Sequence, residues 1–113
     1  MIKRFNLGPR MSDAVTYNQT LYYTSVPTVE DNCAYAQMKS ILEDIDSVLA
    51  QNHSEKSKIL DVTIFLVNHE DFDDMNRAWD EWVDPNNSPV RCTVQAGLMR
   101  PNWKMEVKII AAV

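Results

Sequence analysis

The chain has 113 residues, 45% of them hydrophobic and 24% charged, with only two glycines. That composition describes one ordinary globular domain, residues 1–113, and excludes a disordered, fibrous or multidomain protein. A net charge of -5 and a pI near 4.8 argue against a broad electrostatic footprint for nucleic acid or anionic membrane, although Lys3, Arg4 and Arg10 leave a local basic patch near the start. No run approaches the ~18 apolar residues of a membrane span, and MIKRFNLGPR lacks the apolar core of a secretory signal, so a cytoplasmic chain is expected.

Taken in chain order, the first predicted element is a hairpin: a strand over Ala14 to Tyr17, turn chemistry at Asn18-Gln19, then the aromatic and β-branched run Thr20 to Val26. Pro27 ends it, and Thr28 is placed to cap a helix over Val29 to Gln51. The apolar positions Ala34, Met38, Ile41, Ile45 and Val48 step by four, three, four and three residues, leaving Glu30, Lys39, Glu43 and Asp46 for solvent. After the polar stretch Asn52 to Lys58, Ile59 to Val67 reads as a strand with Leu60, Val62, Ile64 and Leu66 on one face. Phe65 and Val67 on the other face make it a central strand covered on both sides.

A second helix is predicted over Asp71 to Val83, with Phe72, Met75, Trp79 and Trp82 as its core stripe and acidic residues crowding its first turn, where they suit the helix dipole. The loop Asp84 to Pro89 leads into a strand over Val90 to Ala96. Val90, Cys92, Val94 and Ala96 share one face, and Arg91, Thr93 and Gln95 share the other. An arginine in mid-strand either snorkels to water from a sheet edge or is aimed into a crevice, where its planar fork can bind a carboxylate. The final strand, Trp103 to Val113, ends in the bare apolar run IIAAV, which something must bury. The order is an α+β domain with two helices on one face of a mixed sheet. Phe65, Val67, Ile110 and Ala112 make the other face too apolar to be left wet, which predicts self-association through it.

Cys33 and Cys92 form no CxxC pair and are expected as small buried hydrophobes, while His53 and His69 sit in polar loops without a second ligand at metal spacing.

PVRCTVQAGL and KMEVKIIAAV, together with LYYTSVP, ILDVTIFL and FDDMNRAW, resemble the RidA family, also called the YjgF family, and in particular its short YoaB-like branch. The resemblance covers nearly the whole chain. It implies a chorismate-mutase-like fold with a ferredoxin-like ββαβαββ arrangement, assembled as a homotrimer with sheets facing inward and ligand clefts between subunits. The implied activity is hydrolysis of reactive 2-imino acids, released by pyridoxal-phosphate enzymes, to 2-oxo acids and ammonia, with no metal or organic cofactor.

By position, the resemblance makes Arg91 the clamp for a carboxylate substrate and Glu106 the acidic group at the water site. Thr24 stands where the family has a hydroxyl-bearing serine, and Asn76 matches an asparagine at the pocket rim. Met11 replaces a pocket tyrosine, and Thr93 occupies a position where cysteine is common. A thioether cannot donate a hydrogen bond as a phenol does. The alternative is therefore a non-catalytic module that binds a 2-oxo or amino acid in the same cleft. Some relatives have been described as endoribonucleases or translation inhibitors, a reading opposed here by the acidic pI and the lack of a catalytic histidine pair.

Overall fold

A computed structural model describes residues 1–113. Its strands are β1 (Lys3–Phe5), β2 (Ala14–Tyr17), β3 (Thr20–Ser25), β4 (Ile59–Leu66), β5 (Val90–Gln95) and β6 (Met105–Ala112), and its helices are α1 (Ala34–Gln51) and α2 (Phe72–Trp82). All six strands form one sheet in the order β1-β2-β3-β6-β4-β5, in which only β4 and β5 run parallel, as their crossover through α2 requires. The expected α+β layering is present, with two helices packed on a mixed sheet. The sheet has one strand more than expected, because the three residues of β1 pair with β2 at the edge.

The β2–β3 hairpin closes with Tyr17 opposite Thr20. Asn18 and Gln19 both take positive φ, 51° and 59°, the two-residue turn whose twist matches that of the flanking strands. In α1, Met38, Ile41, Ile45 and Leu49 are fully buried against the sheet. Burial of such side chains stabilises by ~1.5–3 kcal/mol each, and it is this stripe more than intrinsic propensity that holds the helix. On the sheet, Leu21, Val62, Ile64, Val107 and Ile109 meet it.

Several local expectations are corrected. Helix α1 begins at Ala34, not Val29, because the preceding chain is held extended. Asp31 Oδ1 accepts the Cys33 N–H at 2.8 Å, and the Thr28 N–H donates to Ser40 Oγ at 3.1 Å instead of Thr28 capping the helix. Leu60 does not join the buried face of β4. A register shift between Ile59 and Asp61 opposite β6 turns Ile59 inward and leaves Leu60 52% exposed. Phe72 and Trp82 lie at the margin of the α2 stripe, and only Met75 and Trp79 are buried. Both cysteines are exposed in the single chain: Cys33 precedes the first turn of α1, and Cys92 sits on the sheet face that no helix covers.

That uncovered face carries Tyr22 on β3, Phe65 on β4, Val90 and Val94 on β5 and Ile110 on β6, all at least partly exposed. It is the apolar face anticipated from β4 and β6, extended further by β5.

Candidate functional site

The polar side of β5 faces the helix layer. Arg91 lies opposite Val62, whose side chain is fully buried, and residues directly opposite across two strands share a face. The Arg91 guanidinium carbon sits 5.1 Å from the centre of the Trp79 ring. Burial pulls its pKa below the ordinary value and the charge of Asp80 pulls it back up, without making arginine deprotonate at any physiological pH. Neither ion pair of the chain, Arg77–Asp74 or Lys104–Asp71, involves Arg91. Its donors are thus not committed to a carboxylate of its own.

Two residues along the same strand face, Thr93 borders a small cleft of ≈ 170 Å³ with Leu66, His69, Phe72 and Gln95. Its Oγ1 is buried and has no hydrogen-bond partner, an uncommon condition that a ligand acceptor or donor would relieve. Asp71 Oδ2 is likewise buried without a hydrogen bond, but it lies 3.5 Å from Lys104 Nζ, so its charge is met. Asn76 is half-buried on α2 and falls at helical spacing between Phe72, which borders the Thr93 cleft, and Asp80, whose charge acts on Arg91. Arg91 and Thr93 therefore form one group on the helix-facing side of β5, while Asn76 is not among the residues that border the Thr93 cleft.

Thr24, Glu106 and Met11 form a second. All three line a cleft of ≈ 680 Å³ at the end of the β2–β3 hairpin. Thr24 pairs with Lys108, which places it diagonally beside Glu106 on the uncovered face, and Glu106 lies opposite Phe65. The approach to β6 is fixed by one buried amide. Gln37 Nε2 donates to the carbonyls of Asp31 and Asn102 at 2.8 and 2.9 Å, and its Oε1 accepts the Lys104 N–H at 2.8 Å. The clamp flanks Trp103, which lines the cleft, and it precedes the start of β6 at Met105, one residue before Glu106.

The same cleft contains a network not anticipated from the sequence. Tyr23 Oη and Ser25 Oγ both donate to Asp44 Oδ2, at 2.5 and 2.6 Å. Burial first, and the hydrogen bond to Asp44 second, push the Tyr23 phenol far above its ordinary range. The signal was there in outline. Leu21, Tyr23 and Ser25 alternate onto the inward face of β3, and two inward hydroxyls require an acceptor from the helix above.

Arg91 faces the helices and Glu106 faces away from them, so the sheet separates the two groups within one chain. Together the layering, the free arginine and the cleft beside Glu106 define a small α+β protein of chorismate-mutase-like fold with two clusters of candidate residues on opposite faces of its sheet. The family described as Endoribonuclease L-PSP matches residues 2–113. Among curated proteins, RutC family protein YoaB of Escherichia coli (strain K12) is 54% identical over 112 residues, 99% of this chain and 98% of that one. A RutC family protein of Haemophilus ducreyi is 46% identical over 114 residues, 100% and 97% of the two chains. Among solved structures, a member of the YjgF protein family from Neisseria meningitidis superimposes with a TM-score of 0.94 at 37% identity, covering 99% of this chain and 94% of that one. The chain belongs to the Ribonuc_L-PSP family, the YjgF/RidA family, over its whole length.

Proposed function

We propose that the protein hydrolyses 2-imino acids to 2-oxo acids and ammonia, in clefts shared between copies of the chain in a homotrimer. The observation that carries this reading is Arg91, a half-buried guanidinium on an edge strand with no carboxylate partner of its own. Its fork suits a bidentate carboxylate. The separation of Arg91 from Glu106 by the sheet supports a site completed by a second copy, and the apolar face around Phe65, Val94 and Ile110 supports association of copies.

In this mechanism Arg91 holds the substrate carboxylate, with Thr93 Oγ1 and Asn76 beside it. Glu106 of another copy orients a water, takes its proton as the oxygen adds to the C=N carbon, and hands that proton on to the former imine nitrogen, which regenerates the carboxylate. Thr24 hydrogen-bonds at that end. The resulting carbinolamine loses ammonia to leave C=O, so the balance is imine plus water to ketone plus ammonia. Imines are labile in water, and positioning with charge stabilisation suffices. The chemistry calls for no metal or organic cofactor.

An amino-acid oxidase supplying 2-iminopropanoate in the presence of semicarbazide tests it. The wild-type protein should suppress semicarbazone formation, and Arg91→Ala should not, while retaining the same circular dichroism and sedimentation. Undiminished turnover by Arg91→Ala would sink the assignment. The second reading, a binding module without catalysis, is favoured by Met11, 75% exposed in the cleft and unable to donate a hydrogen bond. Calorimetric binding of 2-oxobutanoate with no acceleration of imine hydrolysis would select it. RNA cleavage that survived Arg91→Ala would point instead to a contaminant or to a different site.

A further inference from the structure

We propose that Trp79 is the positioning residue of the carboxylate half-site: its indole face, in place of an acidic side chain, holds the Arg91 guanidinium ready for an incoming carboxylate. The inference rests on the carboxylate-binding reading above and adds how the clamp is kept charged, oriented and free.

A half-buried cation is destabilised unless something compensates for lost water. This chain uses both a carboxylate and an aromatic ring for that purpose. Lys104, whose side chain is 25% exposed, lies 3.5 Å from Asp71, and the solvent-exposed Arg77 lies 3.9 Å from Asp74. Half-buried Lys56 lies 5.4 Å from the Trp82 ring centre with no ion pair. Arg91 is of the second kind, resting on an indole without an ion pair. Its one close compensating group is the Trp79 ring at 5.1 Å, and the nearest charge felt, Asp80, stays outside ion-pair reach.

The difference has a chemical consequence. A resident carboxylate would occupy the N–H donors and repel a ligand of the same charge, so that a substrate would have to displace it. An aromatic face attracts the cation through its quadrupole and takes no N–H donor. The ring is also fixed in place. Trp79 is 7% exposed, and its centroid lies 5.4 Å from that of Trp82. Trp82 Nε1 in turn donates to Asp46 Oδ2 of α1 at 2.9 Å. Arg91 thus leans on a ring braced by both helices, on the strand that carries the unpartnered Thr93 hydroxyl two residues away.

The probe is 2-oxobutanoate, whose Kd is measured by titration calorimetry on the full-length protein. Trp79→Leu should weaken binding about tenfold, and Trp79→Phe, which keeps a π-face, should recover most of that loss. Because Trp79 is buried, thermal unfolding of each variant is followed in parallel. A fold-neutral series settles the matter: site-specific incorporation of mono-, di- and trifluorotryptophan at 79 preserves shape while draining the ring quadrupole, and Kd should rise with each fluorine. A Kd flat across the fluorinated series, with wild-type binding intact, overturns the role of Trp79 alone. Absence of 2-oxobutanoate binding by the wild-type protein overturns the carboxylate reading, and this inference with it.

Discussion

Removing a single oxygen at Tyr23 should reveal how the hairpin is tied to α1. In Tyr23→Phe, Asp44 Oδ2 loses the phenol donor at 2.5 Å but keeps Ser25 Oγ at 2.6 Å. Hydrogen bonds to a charged group contribute ~1.5–3 kcal/mol. The second donor and the partial exposure of the site put this one at the low end, ~1–1.5 kcal/mol, or roughly 5 °C in Tm for a domain of this size. The pH dependence is more diagnostic. The folded-state pKa of Tyr23 is raised by burial and by Asp44, so above pH ~10 the unfolded chain releases a proton that the folded chain keeps. The stabilisation is complete below pH ~10 and declines as pH rises toward the folded-state value, at no more than ~1.4 kcal/mol per pH unit. Urea unfolding of wild type and Tyr23→Phe at one protein concentration, from pH 7 to about 11.5, should show a gap that is constant to pH ~10 and then closes. Tyr17, Tyr22 and Tyr35 are common to both proteins and cancel. A gap that stays constant or widens through pH 11 would refute the assignment of the Tyr23–Asp44 pair.

Further outcomes are expected from single substitutions. Glu106→Gln should lower imine turnover by about 10²–10⁴ while changing the 2-oxobutanoate Kd only a few-fold, as loss of a proton acceptor predicts and as paired kinetics and calorimetry would check. Ile110→Asp puts a charge on the half-buried, uncovered sheet face and should shift sedimentation toward a single chain with circular dichroism unchanged. Gln19→Gly, at φ 59° in the hairpin turn, should raise stability by ~0.5–1 kcal/mol in thermal unfolding, since only glycine takes that backbone without steric penalty.

The sequence pattern was most legible where burial is one-sided and the element long. The four-and-three stepping of Met38, Ile41 and Ile45 marked α1, and the alternation of Val107, Ile109 and Ala111 marked β6. β1 is not legible in the sequence, because three residues, Lys3, Arg4 and Phe5, are too few to display a period. Thr28 had the chemistry of a cap, yet its N–H donates to Ser40 Oγ and the Gln37 amide donates to the Asp31 carbonyl, which keeps that segment out of the helix. Leu60 broke the alternation because a bulge inserts a residue without leaving a trace in composition. At the site, Arg91 stood out as a charge in a strand. Its perch on Trp79 depends on how α2 crosses β5, and the meeting of Tyr23, Ser25 and Asp44 depends on how α1 crosses β3; neither crossing is written in any local spacing.

The sheet that divides Arg91 from Glu106 has a genetic consequence. Under the proposed assembly each active cleft draws its arginine from one copy and its glutamate from the next, so two crippled chains can repair one another. Arg91→Ala and Glu106→Gln proteins, each inactive alone, would form mixed trimers after denaturation and joint refolding at equal amounts. Roughly a quarter of the clefts would then pair an intact arginine with an intact glutamate. Activity rising from two dead preparations toward that fraction would mean that the functional unit is the seam between chains.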